Sequence, residues 1–210
     1  MKKSILLLGI LAIAHTAQAQ TTAREFSIGV EGSYNWAKNE SNFDIPGMIS
    51  NSAFSSSSIH AGGYRIFLGY DLNENIAFEL GYFGSGNFNT NGSANVTVQG
   101  TTLPLSVNAS TKITGGDLSA IYKFTQGLPG LFLKAGATQS KARTSVNLAS
   151  VGNISIDDSE NGMGYLLGVG YEKNLTTNLD GRIAYTLYKN LGGQSDQSMS
   201  TISLGLKYRF

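Results

Sequence analysis

The final segment, Ile202 to Phe210, narrows what this chain can become more than any other stretch. Apolar side chains occupy 202, 204, 206, 208 and 210, and Ser203, Gly205, Lys207 and Arg209 fill the places between. A period of two is the mark of a β-strand with two unlike faces. Ending such a strand on an exposed phenylalanine is unfavourable in water. A strand with lipid on one face and a polar lumen on the other accommodates it.

The opposite end fits an exported chain. Lys2 and Lys3 precede the apolar run 5–14, and Ala17-Gln18-Ala19 follows as a small-residue cleavage site. Residues 1–19 therefore read as a secretory signal peptide and 20–210 as one domain. The run falls short of the roughly 20 residues that a helix needs to cross a bilayer, and no comparable run follows. Spanning is left to strands. Charged residues make up 14% of the chain, well below the usual quarter or so, and glycine is abundant at 26 residues. A chain of that kind is rich in strands and turns and poor in surface charge. Cysteine is absent, which excludes disulfides, thiolate chemistry and lipoprotein acylation. Without Lys2 and Lys3 the remaining 13 basic residues face 14 acidic ones, so there is no electrostatic footprint for nucleic acid.

Alternation recurs in eight segments of the length expected for tilted membrane strands: 25–36, 61–72, 76–87, 112–124, 131–142, 162–173, 178–189 and 198–210. The connections alternate as well. Those at 72–75, 125–130 and 173–177 are short, whereas 37–60, 88–111, 143–161 and 190–197 are longer or richer in Ser, Asn and Gly. Short turns on one side and long loops on the other are the asymmetry of outer-membrane barrels. The expected fold is all-β: an eight-stranded antiparallel transmembrane β-barrel, an up-and-down meander, in the bacterial outer membrane.

Assigning the apolar parity to lipid sorts the remaining residues. Tyr70, Tyr122 and Tyr171, with Tyr208, form an aromatic girdle at the inner ends of strands, and Tyr34 and Trp36 belong to a second girdle at the outer ends. The other parity carries Glu31, Arg65, Glu79, Asp117, Lys134, Glu172, Arg182, Lys207 and Arg209 into the barrel. Eight strands enclose a space that side chains fill, so opposite charges are expected to pair there. Phe67, Phe83, Phe132 and Tyr188 share that interior, and glycines make room. The reading is a packed, salt-bridged plug; the alternative is a narrow porin-like path gated by one of the bridges.

The signal peptide, the eight alternating strands, the inward Glu/Arg/Lys set and the terminal Tyr208-Arg209-Phe210 resemble the small outer-membrane β-barrel superfamily. That group includes the membrane domain of outer-membrane protein A, outer-membrane protein X and the opacity-like porin family. The resemblance implies a surface protein with a role in adhesion, envelope stability or slight permeability, and no cofactor. It also implies that Tyr208 and Phe210 act as a C-terminal signal read by the barrel-assembly machinery. A chain ending at Phe210 is expected to lack the peptidoglycan-binding domain of full-length outer-membrane protein A.

Chemistry at defined residues is sparse. His60 is the one imidazole beyond the signal segment, with Ser55 to Ser58, Glu40 and Asp44 in the preceding stretch; a Ser, His and acid set could hydrolyse a lipid ester. A solvated strand-end histidine is the plainer reading, so the chain is taken as no enzyme. The run 157–160, Asp-Asp-Ser-Glu, offers oxygen ligands but lacks EF-hand spacing, so no metal site is assigned. Val96 and Val98, then Leu103, Leu105 and Val107, keep alternating past the expected strands, as do Val146, Leu148, Ile154 and Ile156. Projecting ribbons with exposed edges would suit a host or extracellular protein partner. Lipid and lipopolysaccharide surround the wall, and the expected state is a monomer.

Overall fold

The computed structural model describes residues 25–38, 59–98, 101–148, 154–193 and 197–210. The expected signal peptide and most of the first long loop, with Glu40, Asp44 and Ser55 to Ser58, lie outside the described residues. Nine strands are described: β1 Glu25–Lys38, β2 Ile59–Asp71, β3 Ile76–Ser85, β4 Phe88–Val98, β5 Thr101–Lys123, β6 Leu131–Leu148, β7 Ile154–Asn174, β8 Leu179–Lys189 and β9 Ser198–Arg209. All pair antiparallel, in the order β3-β2-β1-β9-β8-β7-β6-β5-β4, and a further β3–β5 pairing joins the ends. Eight strands thus close an up-and-down barrel, and β4 stays outside it. In hydrocarbon every backbone N–H and C=O needs a partner within the protein, and closure supplies the last row.

Turn chemistry at the inner rim is local. The Asn73 side-chain oxygen accepts from Asn75 N–H at 2.9 Å and Ile76 N–H at 2.8 Å, an Asx turn that joins β2 to β3. Leu179 N–H donates to Thr176 Oγ1 at 3.1 Å between β7 and β8. Between β5 and β6 the chain turns through Gly127 and Gly130, at φ 77° and 92°, a region that favours glycine.

Parity then separates two surfaces. Leu68, Leu80, Leu118, Leu167, Leu204 and Leu206 face outward and are exposed, while Glu31, Arg65, Glu79, Asp117, Lys134 and Lys207 face inward and are buried. That inversion of the soluble pattern is what a lipid-facing wall requires.

The outer ends depart from the eight-segment reading. The stretches 88–111 and 143–161, expected as loops or ribbons, are largely strand: β4 pairs with β5 from Phe88↔Thr111 to Val98↔Thr101. Likewise Val107 pairs with Leu148, Val146 with Ile156 and Leu148 with Ile154. A four-stranded sheet, β4-β5-β6-β7, therefore rises beyond the barrel. The β-branched residues spaced along it, among them Val96, Thr97, Val98, Thr101, Thr102 and Val107, fit a pleated surface. The acidic run 157–160 lies within β7, where Asp157 pairs with Ser145 and Asp158 with Thr144, and not in a ligand-wrapping loop.

The outward assignment is testable at Leu204, which is 66% exposed near the middle of β9. Leu204→Arg is expected to lower the unfolding free energy in lipid vesicles by about 2–4 kcal/mol. Urea titration followed by fluorescence of Trp36, the single tryptophan, measures it; an unchanged midpoint would contradict a membrane-facing position.

Candidate functional site

The lumen holds the densest chemistry in the molecule. Arg65 on β2 donates twice to Asp117 on β5, Nε to Oδ2 at 2.9 Å and Nη2 to Oδ1 at 2.8 Å. Its Nη1 reaches Glu79 Oε2 at 3.0 Å. Arg182, from β8, takes the other oxygen of the same carboxylate, Nη1 to Oε1 at 2.6 Å, and also approaches Glu31 Oε1 at 3.3 Å. Lys134 Nζ stands 3.6 Å from Glu79 Oε2, and Ser203 donates to Glu31 Oε2 at 3.1 Å. Glu79 is thus the hub, with three cations around one carboxylate from three other strands. The bidentate contact of Arg65 with Asp117 is of the strongest and most directional kind of ion pair.

A second cluster lies toward the inner rim. Lys207 pairs with Glu172 and lies 3.5 Å from Asp180, which also accepts from Arg209 Nη2 at 3.0 Å. Arg182 Nε comes within 3.5 Å of Glu172 and so links the two clusters. Lys123 pairs with Asp71 at 2.7 Å. Ring faces supply the rest of the cation environment: the Arg182 guanidinium lies 4.4 Å from the Phe132 centroid and 5.0 Å from Phe67, and Arg65 lies 4.7 Å from Phe67. Quadrupole attraction of this kind is strongest where water is excluded.

Glycines give the long side chains their space. A Cβ at Gly81 would stand 2.6 Å from Asp117 Oδ2 and 2.7 Å from Arg65 Nε, inside the bidentate pair.

Above the ions the lumen turns apolar. Phe83, Phe88, Ile113, Leu166, Tyr188, Leu191 and Met199 form a buried cluster at the outer mouth. Leu191 arrives from a short 3-10 turn, Leu191–Gly193, which opens on Asn190 at φ 58° and passes through Gly192 and Gly193 at φ 67° and 83°. Gly192 N–H donates to Ser140 Oγ at 2.8 Å, and the turn folds into the mouth as a cap. A cavity lined by Glu31, Arg65, Phe83, Tyr188 and Met199 among others, where ions and cap meet, has a volume of about 10 Å³, that of one water position. Below the ions a larger hollow of about 330 Å³, lined by Asp71, Lys123, Glu172, Asp180, Lys207 and Arg209 among others, opens at the inner rim.

The structure places the nine inward charges in two regions. Glu31, Arg65, Glu79, Asp117, Lys134 and Arg182 share the central network, while Glu172, Lys207 and Arg209 belong to the inner-rim cluster. Asp180, 1% exposed, is a member that sequence reading missed, although it lies in the expected strand 178–189 and shares the parity of Arg182. Ile113, Ile121, Leu166 and Met199 are likewise inward, against the simple assignment of apolar parity to lipid. Of the girdle residues, Tyr34, Tyr122 and Tyr171 are exposed and Trp36 and Tyr70 are half-buried. Tyr70 packs on Phe26 with centroids 4.9 Å apart, and Tyr208 meets Phe210 edge-on at 5.4 Å. His60 stacks on Tyr34 at 5.4 Å, outside the barrel.

Truncating one ion should reveal the cost of an orphaned partner. Arg65→Met leaves Asp117, with a fully buried side chain, without its bidentate donor and is expected to cost about 3–5 kcal/mol. The double variant Arg65→Met/Asp117→Leu should recover much of that in the same urea titration. Equal loss in both variants would show that packing, not charge pairing, dominates there.

The model of the outer membrane protein beta-barrel domain matches residues 4–210. Outer membrane protein A of Serratia marcescens is 27% identical over 222 aligned positions, covering 100% of this chain and 56% of that protein. The chain therefore spans about half the length of that relative. Among solved structures, the attachment invasion locus protein of Yersinia pestis superposes with a TM-score of 0.53 at 13% identity, over 89% of this chain and 99% of that one. Neisserial surface protein A gives 0.50 at 19% identity, over 88% and 97%. At such identities the two structures attest the fold alone, whereas the domain match covers nearly the whole chain. This chain belongs to the outer membrane protein beta-barrel domain family, as an eight-stranded barrel of the bacterial outer membrane.

Proposed function

We propose that the protein is a closed, non-conducting and non-enzymatic barrel that anchors an outer β-sheet for contact with the surroundings, in adhesion or envelope integrity. The observation that carries this reading is the extension of β4, β5, β6 and β7 past the lipid-facing belt. Among the described residues no strand pairs with the far edge of β4, and β7 meets β8 only from Tyr165 inward. Among the described residues the far edge of β4, and that of β7 beyond Gly162, where the Leu191–Gly193 turn packs, are thus left with backbone donors and acceptors unused by the sheet, a template for an extended segment of an extracellular protein.

Several features support the closed wall. The apolar cap and the ion network lie in series along the axis, and the cavity where they meet, lined by Glu31, Arg65, Phe83, Tyr188 and Met199 among others, holds about 10 Å³. An ion crossing this path would have to break buried pairs and enter an apolar layer, each costly. A narrow channel is therefore the weaker reading. The attachment invasion locus protein has also been solved in complex with the heparin analogue sucrose octasulfate, which adds anionic polymers to the candidate partners. Export through a cleaved signal in residues 1–19, assembly through Tyr208 and Phe210, and a monomeric state complete the proposal.

Replacing residues 92–107 with a short Gly-Ser turn is expected to leave the heat-dependent gel shift of a folded barrel intact. Adhesion of expressing bacteria to cultured cells should then fall to the level of an empty vector. Adhesion retained at full strength would refute the ribbon as the contact surface. Purified protein in a planar bilayer should show no discrete current steps; regular steps would replace this reading with the channel.

A further inference from the structure

Ion pairing is the rule inside this barrel, and one patch on its outside breaks it. Among residues whose side chains are described, every charge that a strand turns outward is a cation: Lys112, Lys141, Arg143 and Lys189 toward the outer end, and Lys173 at the inner rim. Three of them converge. Lys112 on β5 stands directly opposite Arg143 on β6, and Lys141 lies two residues along on the same face. Directly opposed side chains have Cβ atoms about 4.5–5.5 Å apart, and like charges there are destabilising. Among the residues whose side chains are described, no carboxylate forms an ion pair with any of the three. The adjoining outward positions are Thr114, Gln139, Ser145, Ser159 and Asn161, with Asp157 placed one pair farther out, opposite Ser145.

Height decides what meets this patch. Lys112 is ten residues beyond Tyr122 along β5. At about 3.4 Å per residue and a tilt near 40°, that is roughly 26 Å above the inner aromatic level, against an apolar band about 25 Å tall. Leu118, Leu133 and Met163 cover the wall below and are exposed. The cations therefore sit at the upper edge of the hydrocarbon and point sideways along the membrane, not up from the loops. A ligand reaching them there carries anionic groups directly above acyl chains.

We propose that Lys112, Lys141 and Arg143 form a phosphate-binding site on the barrel wall, occupied by the lipid A phosphates of lipopolysaccharide in the outer leaflet. Arginine offers a planar fork for two phosphate oxygens and the lysines add point charge, while the anion relieves the Lys112–Arg143 repulsion. The inference rests on membrane orientation alone and is independent of what the outer sheet contacts.

The test uses full-length protein refolded in detergent and lipid A added in mixed micelles, with binding read by calorimetry. Wild type should bind bisphosphorylated lipid A, and Lys112→Ser/Lys141→Ser/Arg143→Ser should bind on the order of a hundredfold more weakly. Raising salt should narrow the difference. Thermal unfolding without lipid keeps the result interpretable: the variant should melt at or above the wild-type temperature, since a repulsive pair has been removed. Lipid A should raise the melting point of wild type only. Equal affinity of the two proteins, or equal binding of dephosphorylated lipid A, would overturn the proposal. So would tighter binding of a soluble sulfated oligosaccharide, which would make this a polysaccharide site.

Discussion

Glu79 can remain a carboxylate inside this barrel only because arginines from two other strands reach it. Arg65 takes one oxygen and Arg182 the other, with Lys134 3.6 Å away. The partners sit on β2, β6 and β8, so the hub ties together elements far apart around the circumference. In a wide porin, water would solvate each ion separately; an eight-stranded lumen has no room for it. Pairing is then compulsory, and it fixes which side chains may stand at the centre: acids facing cations, aromatic rings under the guanidinium groups, and glycine wherever a Cβ would intrude on a bridge.

Two further constraints follow from that centre. Backbone groups in hydrocarbon must close on one another, which β3–β5 and β1–β9 pairing achieves. The outer mouth must also be sealed, or water would reach the ions and weaken their attraction. The 3-10 turn at Leu191 does this by lowering an aliphatic side chain between Phe83, Tyr188 and Met199. The seal supports the network, since an apolar cap that excludes water raises the strength of the pairs beneath it.

Much of the fold can be read in the chain because parity is a local property. Ile202 to Phe210 declares two faces without reference to any other strand, and the same holds for β1, β2, β3 and β8. Partner identity is not local. Nothing in the sequence around Arg65 says that Asp117, 52 residues later, will receive both its donors; that depends on register around the whole cylinder. The inward apolar residues were hidden for a related reason. Ile113 and Leu166 are polar-parity positions filled by aliphatic side chains, and only the arrival of Leu191 from another loop makes an apolar layer favourable there. Asp180 carried the same local signal, the parity of Arg182 within the expected strand 178–189. At the outer ends Gly, Asn and Ser suggested loops, yet the β-branched residues between them carried the strands on.

The same electrostatic rule that organises the inside gives meaning to the outside. A chain that neutralises nearly every inward ion with a partner within 4 Å does not lack the means to pair charges. Lys112 and Arg143 face each other across β5 and β6 all the same, at a level where a neutral or acidic residue would serve the sheet better. Such a pair is tolerable where the surroundings supply negative charge continuously, and the phosphate layer of an outer leaflet is a surrounding of that kind. Internal charges are compensated by the chain because the lumen offers nothing else; wall charges at the rim can be left to the membrane. Where a cation is placed thus records which solvent was expected to answer it.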